Sequence, residues 1–555
     1  MSHKKKYAQS PAPRHAAPRK TAAPTPRPAR RLPRTDGKLA RLLPYGVTFL
    51  LFWAFCSLIY GDVFTRAAEA NFVTAHAVQM KFVLDQPLGW FYWPCRYVLL
   101  TFNQAWLGGL VLSLLLTAAV RLADYALRLP ASWRGASALL PGLVLGWMLW
   151  RGTSLYYKNE PSLIFAAPIV LTVVLALAAL AVRLIRGRRA KASAPRGWRP
   201  FGLCVPIVVF AALWYATGTW NQNVVLTARM QNRMLKADWD GMIDDALSAR
   251  RPTRAVAAYY AVALVQRGSL LERLFDIPFD YPDARLDKKE GSEEYGIFQA
   301  DCDFYSGLLN PAYRCALEHI VMNGPNLYYL KRLAVCAIMN REQALANKYL
   351  DIIASMPFTD GFVEKYRPMV ADEERIKADP ELARVLDFKP QESKFEQNYR
   401  SPIFLGYNLA MLSGTDDALE LAIAANLYSK TIPAAMNYIL VYYQKHQRTL
   451  PPVLQQAVLI AANDNEGVMQ YFPGVVEAGE PQMYSFYTLV KPIIEERNAK
   501  MAGKSEAEQE AIRHEYNARL RKELKADWLG TYYYYYFCEN VDDYQEKPHE
   551  KSGVN

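Results

Sequence analysis

The chain has 555 residues, 65 Lys and Arg against 53 Asp and Glu, and 52% hydrophobic residues, so it is long enough for more than one domain. Its net charge of +12 is split, with +21 on residues 1–220 and −9 on residues 221–555. The positive excess sits in a tail and in loops beside apolar runs, which is a membrane-orientation and anionic-lipid pattern and argues against nucleic acid as a partner; seven scattered cysteines argue against a disulfide framework.

Residues 1–41 are rich in Pro, Ala and Arg with few large apolar side chains, so they cannot bury enough surface to fold and read as a disordered cytoplasmic tail. Residues 42–220 read as a transmembrane domain with spans at about 42–60, 97–120, 136–150, 162–181 and 201–217. Thr65 to Val83 has apolar residues at helical spacing (Phe72, Val73, Ala77, Met80, Val83) and is predicted to lie as a surface helix on the outer leaflet. Trp90 to Trp93 supply an interfacial aromatic belt. The third span is short, but the stretch Arg183–Arg199 holds seven basic residues and no acidic one. Keeping that stretch cytoplasmic requires the third run to cross. Five spans then put the N-terminus in the cytoplasm and everything after Trp220 in the periplasm, anchored in the inner membrane.

Residues 221–500 alternate helical periods with short Asn, Pro and Gly breaks and read as a helical-repeat domain. Leu330 to Pro357 is the clearest unit, with Ala334 and Ala346 twelve apart and Leu333, Ala337, Leu350 and Ile353 at neighbouring core positions. Small residues at that spacing mark a tetratricopeptide-like hairpin. Gly307, Ala312 and Ala316 give a second copy, and Trp239 with Ala255, Tyr259, Tyr260, Ala263 and Gly268 a third. Residues 501–541 comprise a charged helix and a Tyr-rich segment, Tyr532 to Phe537, whose apolar half is expected to dock on the last helical pair. Residues 542–555 are a polar tail. The fold class is therefore all-α: a five-helix membrane bundle followed by an α-solenoid.

No HExxH, Cys-x-x-Cys, P-loop, GxGxxG or GxSxG is present, so neither metal nor cofactor is expected. Asp301-Cys302-Asp303 matches a DxD pattern, but on a helix the two carboxylates lie about 200° apart and diverge. Asn463 to Gly467 reads as a turn and not as a calcium loop. Cys302 and Cys315 either face each other across a hairpin or are buried free thiols. The spans carry no ionisable residue to couple transport; Asn103 and Gln104 read as helix–helix contacts.

With the pieces in this order, WDGMIDDAL at Trp239, ALVQRGSLLERLF at Ala263, LKRLAVCAIMNREQALANKYLDII at Leu330, AAMNYILVYYQ at Ala434 and GTYYYYYF at Gly530, the chain resembles a family of uncharacterised multi-spanning membrane proteins of gut-type bacteria, known only as a domain of unknown function with a tetratricopeptide-like half. That resemblance implies fold and topology and supplies no catalytic residue. The chain accordingly reads as an interaction protein, with protein partners on the concave face of the solenoid and membrane lipids around the spans. The second reading is an enzyme acting on lipid-linked envelope precursors, like a glycosyltransferase, with Asp62, Glu69 and Asp85 of the first outer loop as its acidic residues.

Overall fold

The computed structural model describes residues 38–158, 160–186, 201–279, 292–390, 399–400, 407–408 and 415–539. The predicted tail up to residue 37, the basic stretch from 187 to 199 and the polar tail 542–555 lie outside the described residues. The chain divides into two compact units, Met1–Leu43 and Pro44–Asn555, and the description below concerns the second.

The membrane-type region is built from α1 (Lys38–Ala54), a π-helical turn (Phe55–Ile59), α2 (Gly61–Ala70), α3 (Lys81–Leu84), α4 (Gly89–Leu99), α5 (Ala105–Ala126), α6 (Leu139–Arg151), α7 (Ser154–Tyr157), α8 (Leu163–Arg186) and α9 (Phe201–Thr219). Four stretches are long and apolar enough to cross a membrane: Leu42–Ile59, Ala105–Ala126, Leu163–Ile185 and Gly202–Thr219. The predicted third span is a shorter apolar helix, Ala136–Arg151. It packs against α9 and meets the start of α10 at its C-terminal end. A Cβ added to Gly135 would meet the Gly202 carbonyl oxygen at 3.3 Å, one on Gly142 the Val209 side chain at 2.6 Å, and one on Gly152 the Val224 side chain at 3.4 Å.

Two predicted boundaries move. The long apolar helix expected from about residue 97 begins at Ala105, because Gln104 is extended (φ −123°, ψ 106°) and separates α4 from α5. Asn103 and Gln104 therefore sit at this break and not between packed spans. Arg96 explains why α4 stays out of the apolar stretch: it is buried, and its guanidinium donates to Ser162 Oγ at 3.1 Å and to the Phe72 carbonyl at 3.2 Å. A guanidinium with these polar partners belongs in protein. At its other end α5 runs beyond Val120 and includes Asp124, an ionisable residue the predicted span did not contain. Asp124 is buried; its Oδ2 accepts from Tyr45 Oη at 2.9 Å and from the Gly135 amide at 2.7 Å. Gly135, at φ +91°, makes the turn that brings that amide to the carboxylate.

The surface helix expected over Thr65 to Val83 is also corrected. Helix α2 stops at Ala70, with Asn71 extended as its cap, and Phe72, Val73, Met80 and Val83 are buried in the same core as the repeat helices. Their apolar spacing reflects docking into protein, which periodicity alone does not distinguish from docking on lipid.

The helical-repeat region follows as α10 (Gln222–Met234), α11 (Trp239–Leu247), α12 (Arg254–Arg267), α13 (Leu270–Arg273), α14 (Ser292–Tyr305), α15 (Leu309–Asn323), α16 (Leu327–Met339), α17 (Gln343–Ala354), α18 (Asp360–Tyr366), α19 (Glu373–Ala378) and α20 (Pro380–Phe388). A two-residue antiparallel ladder pairs β1 (Tyr399–Arg400) with β2 (Tyr407–Asn408). Then come α21 (Asp416–Tyr428), α22 (Ile432–Lys445), α23 (Pro452–Asp464), α24 (Val475–Met501), α25 (Glu506–Trp528) and α26 (Tyr532–Cys538). Consecutive helices stack: α11 on α12, α14 on α15 and α16, α16 on α17, α21 on α22. The small residues that predicted this are at the contacts, since Ala312, Ala316, Ala334 and Ala346 have no exposed surface. Gly268 (φ +64°) and Gly307 (φ +78°) end α12 and α14, in the left-handed conformation that helix ends favour.

The Tyr-rich segment is a helix, and it docks more widely than on the last pair. Tyr532 Oη donates to the Leu427 carbonyl at 3.0 Å and Tyr535 Oη to the Tyr428 carbonyl, while the Tyr535 ring lies 4.5 Å from that of Phe275. Helix α26 thus joins α21 to the segment after α13. Lys430 and the Phe279 amide also contact Glu539, the latter at 2.8 Å.

Candidate functional site

The buried polar chemistry of the described residues is concentrated where α2 meets the repeats. Asp62, Arg66 and Glu69 are four and three residues apart, so they share one face of α2. Each reaches a different part of the repeat region. Asp62 Oδ2 accepts from Arg229 Nε of α10 at 2.7 Å, and Glu69 lies 3.5 Å from Lys331 Nζ of α16. Arg229 and Arg233 extend the first contact to Asp245 of α11, at 3.4 and 3.0 Å.

Arg66 occupies the centre and is 2% exposed. Its Nε donates to Gln231 Oε1 at 3.0 Å, and its guanidinium lies 3.7 Å from the centre of the Tyr328 ring. Gln231 Nε2 donates to Tyr259 Oη at 2.7 Å, which orients the amide with its oxygen toward Arg66. Tyr259 Oη lies 2.9 Å from Asp301 Oδ2 and Tyr328 Oη 2.5 Å from the same atom, while Arg332 Nη2 donates to Oδ1 at 2.8 Å. A single connected chain of hydrogen bonds therefore passes from α2 through α10 and α12 to α14 and α16.

Burial and then the Asp301 charge hold both tyrosine hydroxyls well above their ordinary pKa, so they remain donors. Burial works against the Arg332 charge, but Asp301 together with Tyr305, Tyr328 and Cys336 outweighs it and keeps the guanidinium ionised. Asp301 accepts from two tyrosine hydroxyls on Oδ2 and from the Arg332 guanidinium on Oδ1, the arrangement of a buried structural acceptor. Asp303, two residues along, points elsewhere, with Cys315 Sγ at 3.9 Å; burial pushes its carboxyl up to about 8. The divergence expected of the two aspartates is what the helix produces. No cluster of metal-ligating side chains occurs among the described residues. Cys302 and Cys315 are free thiols. In the NDNEG segment the Asn465 side chain accepts from the Gly467 amide at 2.9 Å and closes a turn.

A second contact lies beside the first. The Tyr157 ring of α7 is 4.7 Å from that of His319 on α15, which is 4.0 Å from that of Tyr329. Asn326 Nδ2 reaches the Tyr156 carbonyl at 3.4 Å. Burial lowers the His319 ring to about 4, so it sits there neutral.

Of the three carboxylates singled out in the sequence, Asp62 and Glu69 are thus brought to the junction, each against a cation, and Asp85 stands exposed just after α3. Glu69, Asn71, Asn103, Lys331 and Phe358 line a small cleft there. Sequence reasoning missed Arg66, Gln231, Tyr259 and Arg332 as a connected set. One signal was available for the first: a lone Arg in GDVFTRAAEA with acids on both sides at helical spacing.

A family model described as a family of unknown function (DUF6057) matches residues 155–539. The chain belongs to this family. The match to DUF6057 begins in α7 and ends after α26, so it takes in α8, α9 and the whole repeat region, while α1 to α6 fall outside it. The resemblance read from the sequence is in this respect narrower than expected. In this chain the matched residues form an apolar helical region followed by an all-α repeat-like region. No curated protein and no solved structure matches the chain.

Proposed function

We propose that the protein is a membrane-anchored scaffold whose helical repeats present a partner-binding concave face on the periplasmic side of the inner membrane, within an envelope assembly. The observation that carries this reading is the junction itself. Its buried charges pair with one another and with tyrosines across the boundary, which fixes the repeat region to the apolar helices. A rigidly held repeat array is suited to recognising another protein.

The topology rests on the geometry of α6. The turn before it, at Gly135, lies beside Gly202 of α9, and Gly152 just after it lies beside Val224 of α10, which supports reading it as a crossing. Counting it as a crossing gives five, with the basic stretch 183–199 cytoplasmic and α10 onward outside. Its length deficit is met by snorkelling of Arg134 and Arg151 and by local thinning. Reporter fusions after Trp220 and within 187–199 test this: an alkaline-phosphatase-type reporter should be active at the first site and silent at the second, and the reverse overturns the layout. Crosslinking in intact membranes followed by affinity capture tests the scaffold role, which fails if no protein is enriched over unrelated membrane proteins.

One observation favours the enzyme reading. Glu69 lines a cleft next to the start of α5, where a lipid-linked substrate would arrive. Single alanine substitutions at Asp62, Glu69 and Asp85 test it; a phenotype confined to Glu69, with folding intact, supports a catalytic carboxylate, and no phenotype at any of the three removes it.

A further inference from the structure

We propose that the repeat region makes its own contact with lipid, through the C-terminal end of α15 inserted into the interface of the leaflet above which it sits. This rests on the membrane reading given above. Val321 and Met322 are 76% and 82% exposed, and Leu317, one turn earlier on the Val321 side, is 39% exposed. The opposite face of the same helix is used for the core, where Ala312, Ala316 and His319 are buried. An exposed apolar pair at a helix end facing water is an unfavourable arrangement; facing an acyl-chain boundary it is the ordinary one.

The position of this helix end identifies the occupant. His319, two residues before Val321, contacts the ring of Tyr157. Tyr157 lies in the short connection between Arg151, where α6 ends, and Leu163, where α8 begins. Two residues of helix advance about 3 Å along the axis, so Val321 is held next to the level at which two apolar helices meet their polar connection. The surrounding segments repeat the chemistry. Trp90, 73% exposed, is the second residue of α4, the helix that leads into α5. Phe358 is 75% exposed at φ +62°, a conformation unusual for a bulky side chain, and it stands on the rim of the cleft that also contains Leu100 and Asn103. Val78, 87% exposed, is adjacent to Gln79, whose side chain meets Ser355 at 3.2 Å. Large apolar side chains are thus exposed on several separate segments, each tied to the end of the bundle where α2, α4 and α7 lie. The Arg314–Glu318 pair, at 2.8 Å one turn before Met322, supplies charge at headgroup height.

The test uses the full-length protein in nanodiscs of phosphatidylethanolamine and phosphatidylglycerol doped with a phospholipid carrying a diazirine in its acyl chain. After illumination, labelled peptides are quantified by mass spectrometry. The peptide with Val173 and Leu177 of α8 reports the membrane reading, and the peptide with Tyr484, 76% exposed on α24, reports labelling from solution. The expected result is label on the Leu317–Met322 peptide about tenfold above the Tyr484 peptide, as for an interfacial helix. Label on α8 with none at 317–322 overturns the inference and leaves the membrane reading standing. Absence of label on α8 removes both.

Discussion

The guanidinium of Arg66 lies 3.7 Å from the centre of the Tyr328 ring, and the two residues come from opposite sides of the junction between the apolar helices and the repeats. A buried cation over an aromatic face contributes about 2 kcal/mol, and a hydrogen bond from a charged group about 1.5–3 kcal/mol. Arg66→Met removes both and leaves Gln231 Oε1 without its donor. We expect a loss of about 3 kcal/mol in the detergent-solubilised protein, read as a lower thermal midpoint. Limited proteolysis should then cut between α2 and α4 faster than in the parent. A midpoint unchanged from the parent would show that the junction does not depend on this contact.

Asp301→Asn is close in shape, but it withdraws the charge and replaces one of two accepting oxygens with a donor. It leaves Arg332 buried without its carboxylate, an arrangement that costs about 3–5 kcal/mol. Adding Arg332→Met should recover part of that loss, because the cation left uncompensated is then gone. A double-mutant cycle measures the coupling, and additive effects of the two substitutions would contradict a direct pairing.

The pH dependence has two opposed contributions. Asp303 titrates near 8 in the folded protein against an ordinary 3.8, so the fold keeps a proton that the unfolded chain releases. Its contribution is fully present below about 4 and is lost as pH rises toward 8. His319 titrates near 4 against 6.5, so its contribution is present above 6.5 and is lost as pH falls toward 4. Between those limits the slopes oppose one another; above 6.5 the His319 contribution is constant while that of Asp303 is still being lost. Asp303→Asn should therefore gain on the parent protein as pH is raised from 6.5 to 8, by at most about 1.4 kcal/mol per pH unit. Parallel stability curves for the two proteins over that range would refute the assignment.

Much of the repeat architecture was legible because its signals are local. Ala334 and Ala346 declare a close helix contact from their spacing, and the 200° between Asp301 and Asp303 follows from helix geometry alone. The junction was not legible, because its partners are remote in sequence. Arg66 reads as a solvated residue until Gln231, 165 positions on, is placed beside it. Met80 and Val83 have the spacing of an interfacial helix, and only the arrival of the repeat helices decides that they are core. The boundary at Ala105 was missed for a different reason: Tyr97 to Leu100 are apolar enough to continue a span, and the buried Arg96 just before them gives no sign in the sequence of the polar partners that keep α4 outside it.

Tyr535 offers the most direct test of the distal packing. It is 1% exposed, with Phe275 at 4.5 Å, Phe279 at 5.4 Å and Tyr428 at 5.7 Å between ring centres. Tyr535→Ala should cost about 3–5 kcal/mol as a buried aromatic truncation. Tyr535→Phe should cost about 1 kcal/mol, the worth of its hydrogen bond to the Tyr428 carbonyl. Equal losses for the two variants, measured by thermal unfolding, would place the energy in the hydroxyl and not in the ring.

The hydrogen bond from the Phe279 amide to Glu539 joins positions 260 residues apart. An open array of repeats gains stability one neighbour at a time and can begin folding while its later units are still being made. Here the segment after α13 has aromatic and backbone partners that exist only once α26 has left the ribosome. Until then Phe275 and Phe279 lack the Tyr535 ring that packs on both, and part of this aromatic surface stays uncovered through most of the synthesis of the chain. The repeat region therefore completes folding as a closed, cooperative unit, late and at a topological cost in rate.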